Sequence, residues 1–266
     1  MDFYSEHELK NESRFVNKLW RLDNSHQKIA IDDLKILPNG CFNIGLLIGK
    51  GALVTFKEKK YNLTEGIYLC SQVTQPVNLT LLGHSKVILI QLHAWSFSYH
   101  SENDFSNFTD DISQSESNQE LFDKRIDLGS TSILEDTINL TQKYFSEIDK
   151  KHTQKKIIEQ LASKIVSQQG DCNIADLTKE YDYSEKWIQK KFKKATGLTP
   201  KQFAKIIQFR YSVDKIAYGN ADDSLTSIGY EAGFNDQSHF IKNFRQFVGT
   251  TPSKFDPKSF VLSFKK

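Results

Sequence analysis

The spacing of apolar residues differs between the first and the last part of this chain of 266 residues. Up to about residue 100 they form short runs rich in Val, Ile, Leu and aromatic side chains. These runs are interrupted by turn signals such as Pro38-Asn39-Gly40 and Gly83-His84-Ser85. Short β-branched and aromatic runs between frequent turns are typical of strands. The first region is therefore predicted to form a small β-sandwich or jelly-roll-like barrel.

Beyond residue 130 the apolar spacing changes to three and four residues, as on one face of a helix. Ile133, Ile138 and Phe145 predict a helix from about Ser132 to Lys150, and the chain from Gln154 onward has a helical pattern. The predicted fold class is α+β with two domains, an N-terminal β-sandwich with trailing helices and a C-terminal all-α domain. The predicted ranges are 1–110 for a β-rich sensor or effector domain, 111–152 for a helical connector suited to dimerisation, and 153–266 for the helical domain.

The charge balance changes near the same boundary. The whole chain carries 35 Lys and Arg against 33 Asp and Glu, a net charge of only +2. Residues 154–266 hold 19 of the basic and 12 of the acidic residues, so this part carries +7 and the part before it carries −5. A slightly acidic front joined to a basic back indicates two domains with different partners, and nucleic acid suits the basic one.

Export and membrane insertion are not expected from this sequence. The polar N-terminus lacks the apolar core of a signal peptide, and apolar runs such as Val87 to Ile90 are far too short to cross a bilayer. Cys41, Cys70 and Cys172 are odd in number and widely spaced. They indicate reduced thiols, and hence a cytoplasmic protein without a membrane partner.

No metal site is predicted in the front domain. His84, His93 and His100 lie there, but they do not show the clustered spacing of metal ligands. No cofactor is expected either.

The most informative signal is an internal repeat in the basic region. Two segments match at a constant offset of 52, namely Phe192-Lys193-Lys194-Ala-Thr-Gly197-Leu-Thr-Pro200-Lys-Gln-Phe203 and Phe244-Arg245-Gln246-Phe-Val-Gly249-Thr-Thr-Pro252-Ser-Lys-Phe255. Farther upstream the match continues at an offset of 51, with Leu177 against Ile228 and Tyr183 against Phe234. Such a repeat indicates two copies of one supersecondary unit.

Each copy has the pattern of a helix-turn-helix. A short helix ends at a turn, where Gly233 of the second copy suits a positive φ. The next helix can be capped by Ser184 in the first copy and by Asn235 or Asp236 in the second. The remaining residues with a predicted structural role are the inward-facing Ile188, Phe192, Phe234, Phe240 and Phe244, the C-cap residues Gly197 and Gly249, and the helix breakers Pro200 and Pro252. Between the copies, Lys201 to Tyr218 is predicted to form one long helix.

The second copy resembles the signature of AraC/XylS-type transcriptional regulators. It reads Ile228-Gly-Tyr-Glu-Ala-Gly-Phe-Asn-Asp-Gln-Ser-His-Phe-Ile-Lys-Asn-Phe-Arg-Gln-Phe-Val-Gly-Thr-Thr-Pro252. The resemblance covers about Lys155 to Phe255 in both copies and implies a DNA-binding domain of two helix-turn-helix units joined by a long helix. It also implies a bacterial regulator, more often an activator, and Leu37 to Asn43 weakly resembles a sensor domain of such proteins. Asp214 departs from the small residue that the family usually has there.

The second helix of each copy is the one expected to enter the major groove of double-stranded DNA. The predicted base-reading residues are Lys186, Gln189 and Lys190 in the first copy and Gln237, Ser238, His239 and Lys242 in the second. The predicted phosphate-binding residues are Ser184, Lys193, Lys194 and Arg245.

Three residues near these helices have competing interpretations. Trp187 either contacts a thymine methyl or sugar, or packs against the linker helix. His239 has no partner at ligand spacing, so metal binding or catalysis is disfavoured. Arg210 is expected to pair with a carboxylate.

The sequence thus predicts a sequence-specific regulator and no catalytic residues. RNA polymerase, a small-molecule effector and a second copy of the chain are further candidate partners. Two alternatives stay open: an enzyme whose β-domain carries an active site beside a DNA-binding tail, and a protein-interaction module.

Overall fold

A computed structural model describes residues 3–7, 13–56, 58–99, 104–114, 128, 130–152, 156–219 and 223–261. The strands are β1 (Tyr4–His7), β2 (Val16–Asn24), β3 (Ile31–Ile36), β4 (Cys41–Gly49), β5 (Ala52–Phe56), β6 (Lys59–Leu63), β7 (Gly66–Cys70), β8 (Val77–Leu81), β9 (Ser85–His93), β10 (Ile112–Ser113) and β11 (Phe260–Val261). The helices are α1 (Ile133–Lys151), α2 (Ile157–Ser167), α3 (Ile174–Thr178), α4 (Glu185–Thr196), α5 (Pro200–Tyr218), α6 (Leu225–Glu231) and α7 (Gln237–Val248). The predicted α+β class, with a β-rich front and a helical back, is confirmed.

The front of the chain forms two facing sheets. The first has six strands in the order β1-β2-β9-β4-β7-β10, and the second has five in the order β11-β3-β8-β5-β6. The centre of the first sheet is β9, which pairs antiparallel with both β2 and β4. The last strand of this sheet, β10, lies beyond residue 110, where the β-rich domain was predicted to end.

The central strands of the first sheet are apolar on both faces. In β9, Val87 and Leu89 belong to the core between the two sheets, whereas Ile88 and Ile90 belong to a second core on the other face. Because successive side chains in a strand point to opposite faces, a run without polar alternation is what a doubly covered strand requires. The second face is covered by the helical part of the chain.

One apolar core therefore joins the sheet to the helices. It includes Phe42 of β4, Phe145 of α1, Leu161 of α2 and Phe203 of α5. At Gly40, just before β4, an added Cβ would lie 2.8 Å from the ring of Phe203. This close approach leaves room only for glycine, and it fixes the linker helix against the front domain.

A buried ionic cluster also joins the two parts. Arg14 donates from Nε to both carboxylate oxygens of Glu159 in α2 at 2.9 Å, and from Nη2 to the hydroxyl of Tyr99 at 2.7 Å. The Glu159 side chain is only 1% exposed. The hydrogen bonds with Glu159 raise the pKa of Arg14. Burial is the largest cause that raises the pKa of Tyr99 to about 12, and the hydrogen bond to Glu159 is the next. The guanidinium thus stays charged and bridges the domains.

The end of the chain departs from the all-helical expectation for residues 153–266. After α7 the backbone makes two 3₁₀ turns, Pro252–Lys254 and Pro257–Ser259, and then adds β11 to the front domain. This strand pairs parallel with β3, with Phe260 opposite Lys35. Among the described residues, no helix is both long and apolar enough to cross a membrane.

Candidate DNA-binding surface

The first helix-turn-helix unit consists of α3 and α4. Its second helix begins at Ser184, whose hydroxyl accepts from the backbone N–H of Trp187 at 3.3 Å. It ends at Gly197, which has φ of +80° and donates its N–H to the carbonyl of Lys193 at 2.8 Å. A side-chain N-cap and a left-handed glycine C-cap satisfy backbone groups that a helix cannot pair internally.

The second unit, α6 and α7, repeats this construction. Gly233 in its turn has φ of +78°. Asp236 caps α7 by accepting from the N–H of His239 at 2.7 Å, and Gly249 ends the helix with φ of +83°. Of the two residues that the sequence offered as caps, Asn235 and Asp236, the structure places Asp236 at the N-cap.

Both second helices have 12 residues and bury apolar residues four apart. Ile188 and Phe192 are fully buried in α4, and Phe240 and Phe244 are almost so in α7. Phe234 and Pro252 are buried as well, and Pro200 is the first residue of α5. With these faces turned inward, the opposite face of each helix is exposed.

The linker helix contacts both units through aromatic rings. Phe203 lies 5.6 Å from Phe192 of the first unit, and Phe209 stacks at 4.7 Å on Phe247 of the second. Phe209 was not among the predicted core residues, although its spacing from Ile206 and Val213 matches the buried face of a helix. Arg210 pairs with Asp214 at 3.0 Å one turn along. Asp214, the departure from the family pattern, is therefore the carboxylate partner expected for Arg210.

The predicted reading residues all lie on these exposed faces. The exposed side chains on α4 and α7 include Lys186, Gln189, Lys190, Gln237, Ser238, His239, Lys242 and Arg245, and the cap residue Ser184 is exposed too. Lys193 and Lys194 are half-buried. Gln189 donates to Glu185 at 2.8 Å, so its amide is held along the helix surface.

One side of α4 faces the front domain rather than solvent. The N–H of Phe105 donates to the carbonyl of Lys194 at 2.8 Å, and Thr109 donates to the carbonyl of Gly197 at 3.1 Å. Hydrogen bonds from Ser106 are the main cause that lowers the pKa of Asp104. The positive charges of Lys194 and Lys190 also lower it, so Asp104 lies near both lysines. The basic cluster is thus split between a free face and a face beside residues 104–109.

Trp187 occupies a position that neither of its two interpretations anticipated. Its ring stacks on Tyr183 at 4.1 Å, and Nζ of Lys191 lies 5.5 Å from the ring centre. Together these residues line a groove that is closed on the other side by Phe97 and Phe105 of the front domain. The groove belongs to the contact between α4 and the front domain.

The histidines and Cys41 have individual surroundings. His84 lies at a turn, and His93 stacks on Trp95 at 4.4 Å, where burial lowers its pKa to about 4. Burial also raises the pKa of Cys41 to about 12. His100 lies outside the described residues. In the described part of the chain, no three His, Cys, Asp or Glu residues come together in a way that would suit a metal ion.

A cavity lies between the two sheets of the front domain. It has a volume of about 90 Å³, and its walls include Trp20, Ile36, Leu47 and Phe56. None of the lining residues is charged. Asn43 lines the same cavity with a buried Oδ1 that has no hydrogen-bond donor among the described residues. The cavity is apolar with one open acceptor.

Comparison with known proteins connects the helical part to a family. Residues 177–257 match a family described as a helix-turn-helix domain. Over 102 residues the chain is 31% identical to the Msm operon regulatory protein of Streptococcus mutans. Over 90 residues it is 23% identical to the HTH-type transcriptional activator RhaS of Pectobacterium atrosepticum. Over residues 177–257 the chain is therefore similar to the helix-turn-helix domains of transcriptional regulators.

The matches to these relatives are confined to part of each protein. They cover 38% and 34% of this chain and 36% and 32% of the relatives, so the chain spans about a third of their length. The matched helix-turn-helix region, residues 177–257, contains the repeat, and the front domain lies outside this match.

Solved structures with more remote likeness were also found. One is ToxT from Vibrio cholerae bound to an unsaturated fatty acid, with 17% identity and a TM-score of 0.46 over 93% of this chain and 96% of ToxT. Another is the AraC-like transcriptional activator CuxR, with 9% identity and a TM-score of 0.24 over 81% of this chain and 78% of CuxR. Both TM-scores lie below 0.5, so neither likeness carries the ligand or activity of those proteins over to this chain.

Proposed function

We propose that this chain is a sequence-specific DNA-binding transcriptional regulator that reads two adjacent segments of the major groove. The observation that carries the proposal is the duplicated unit, in which two equally long, equally capped helices each turn a polar face outward. The linker helix has 19 residues, and at 1.5 Å per residue it is about 28 Å long. This length is close to the roughly 34 Å that separates successive major-groove segments on one side of a duplex.

The two helices are assigned different shares of the binding. Lys186, Gln189 and Lys190 would read bases from the first unit, while Lys193 and Lys194 hold phosphates. In the second unit Gln237 is the principal base-reading residue, because a side-chain amide can make two hydrogen bonds to an adenine edge. Ser238, His239 and Lys242 lie beside it, and Arg245 and Ser184 are assigned to phosphate.

Selection of bound duplexes from a random pool, followed by sequencing, tests the proposal. We expect one enriched sequence whose two recognition segments are about one helical turn apart. The logarithm of the affinity for it should fall linearly with the logarithm of salt concentration, because bound lysines release counterions from DNA. A chain that enriches no sequence, or whose binding is insensitive to salt, would instead favour the protein-interaction module.

The front domain is assigned to sensing a small molecule in the cavity between its sheets. A charged ligand would lose its hydration there without gaining a counterion, which is costly. The unpaired Oδ1 of Asn43 favours a ligand with one N–H or O–H donor, since an unsatisfied buried acceptor also costs free energy. The proposed effector class is therefore a small, neutral, mostly apolar molecule that carries one hydrogen-bond donor.

Calorimetric titration of the full chain with indole and benzofuran tests this assignment. The two rings have nearly the same shape, but benzofuran lacks the N–H. We expect indole to bind about tenfold more tightly, a difference of roughly 1.4 kcal/mol that corresponds to one hydrogen bond. The preference should disappear in Asn43→Leu. Equal binding of both probes to the native chain, or binding of neither, would contradict the assignment.

The direction of regulation is proposed to be activation through contact with RNA polymerase. The support is the relative whose name describes a transcriptional activator. In vitro transcription from a promoter that carries the selected sequence should rise when the chain is added, and a fall would reassign it as a repressor.

We place this regulator in the bacterial cytoplasm, where its DNA is. Dimerisation through the connector stays a prediction, to be measured by sedimentation.

A further inference from the structure

The C-terminal tail, residues 255–261, lies between the second sheet of the front domain and the second helix-turn-helix unit. It has no part in the functions proposed above. After α7 the chain passes through the buried residues Phe255 and Phe260 and ends its described part in β11. The strand aligns Phe260 with Lys35 and Val261 with Ile36 at the edge of the second sheet.

On one side the tail contacts the back of the second reading helix. The ring of Phe255 lies 5.5 Å from that of Phe244, and Phe260 lies 5.0 Å from Phe255. Phe244 is buried directly behind the exposed face of α7. A continuous row of three aromatic rings therefore runs from the reading helix to the tail strand.

On the other side the tail contacts the wall of the cavity. Nζ of Lys35 lies 5.7 Å from the ring centre of Phe260, so the side chains as well as the backbones of β3 and β11 are in contact. Ile36 and the following Leu37 line the cavity between the sheets. A displacement of this wall would therefore act on the strand that is paired to it.

We propose that the tail from Phe255 to Val261 is a clasp that couples the cavity wall to the second reading helix. The clasp makes the position of β3 depend on whether α7 is engaged with DNA, and the reverse. Close-packed aromatic contacts transmit such displacements because they leave no free volume to absorb them. Coupling of two binding sites is reciprocal, so duplex bound at α7 must change the affinity of the cavity for a ligand by the same factor by which that ligand changes the affinity for duplex. This proposal rests on the DNA-binding function proposed above.

Hydrogen exchange of the full chain, with and without the selected duplex, tests the clasp and needs no effector. We expect saturating duplex to slow exchange of the backbone amides of residues 31–37 by about fivefold or more, the lower end of typical coupling. In Phe260→Ala, which removes the ring between β3 and Phe255, the duplex should change this exchange by less than about twofold. Residues 59–63 of β6, at the far edge of the same sheet, serve as the internal control and should not respond.

A pair of shortened chains provides a second test that does not depend on one substitution. A chain ending at Ser259 lacks the tail strand and should lose the response of residues 31–37. The matched chain ending at Val261 keeps the strand and should retain it. Far-UV circular dichroism establishes that each variant is folded before its exchange is measured.

The results that would overturn the clasp are distinct from failure of the proposed function. If the native chain binds no duplex, the DNA-binding function fails. If it binds duplex but residues 31–37 do not respond, or if they respond equally without the tail strand, the clasp is wrong. Folded variants that no longer bind the duplex would also overturn it, because the tail would then be a structural part of the second unit alone.

Discussion

The two helix-turn-helix units of this chain share a framework and differ in what surrounds it. Both reading helices have 12 residues, begin at a side-chain cap and end at a left-handed glycine. The first carries five lysines, whereas the second carries Lys242 and Arg245 among neutral polar residues. A single scaffold can thus present two chemically different reading faces, one suited to phosphate attraction and the other to hydrogen bonding.

The units also differ in how they are attached to the front domain. The first is in direct contact with it through the backbone of Lys194, and the preceding helix α2 is bound to it through Glu159 and Arg14. The second is attached by the C-terminal tail, which lies between Phe244 and β3. The comparison teaches that the two halves of a duplicated unit need not be coupled equally to a neighbouring domain, because each half has its own connection.

The largest expected effect concerns the attachment of α2 to the front domain. Glu159→Ala leaves Arg14 in a mostly buried position without its main carboxylate partner, and we expect the free energy of unfolding to fall by about 3–5 kcal/mol. Urea denaturation measures it. Lys179→Ala, which breaks the exposed ion pair with Asp176, is the matched control and should have no measurable effect. A small loss in Glu159→Ala would mean that the cluster does not hold the domains together.

Substitutions at the glycines that end the two reading helices distinguish the cost of backbone strain from the cost of crowding against the front domain. Gly249→Ala should cost about 1–2 kcal/mol, because the backbone is left-handed and nothing lies within 4 Å of the added Cβ. At Gly197 the Cβ would also lie 3.0 Å from the carbonyl oxygen of Phe108 and 3.1 Å from that of Phe105. Crowding should raise the total to about 2–4 kcal/mol. Thermal or urea unfolding gives both values. Equal losses of unfolding free energy would show that residues 105–109 move aside at no measurable cost.

The division of reading between the units predicts a position-specific effect in the second. Gln237→Ala should cost about 1–3 kcal/mol on the selected duplex and relax the preference at one base pair. Gel-shift titrations against a panel of single base-pair substitutions measure this. An equal loss on every member of the panel would remove Gln237 from base reading.

The smallest expected effect tests the electrostatic role of the first unit. Lys193→Ala should weaken binding evenly across the same panel and reduce the slope of log affinity against log salt by about 1. Lys254→Ala, an exposed lysine outside the reading helices, is the control and should leave the slope unchanged. If both variants change the slope equally, binding depends on the overall charge rather than on the first reading helix.

Much of the site was predictable because it is encoded locally. Caps, breakers and buried residues four apart depend on neighbours within one or two turns, so Ser184, Gly197 and Gly249 could be placed from their spacing alone. Phe209 follows the same helical spacing, but it lies in the linker helix, outside the repeated segments. The apolar runs of β4 and β9 likewise carried a signal, since a strand without alternation indicates cover on both faces.

The sequence by itself determined the duplicated unit, the exposed reading faces and the separation of charge between the two halves, because these follow from periodicity and composition. Only the tertiary structure decided that Glu159 receives Arg14, that Trp187 faces the front domain and that the tail adds a strand to β3. Each of these contacts joins residues far apart in the sequence. Their formation depends on how two apolar faces pack together, and no local pattern records the partner.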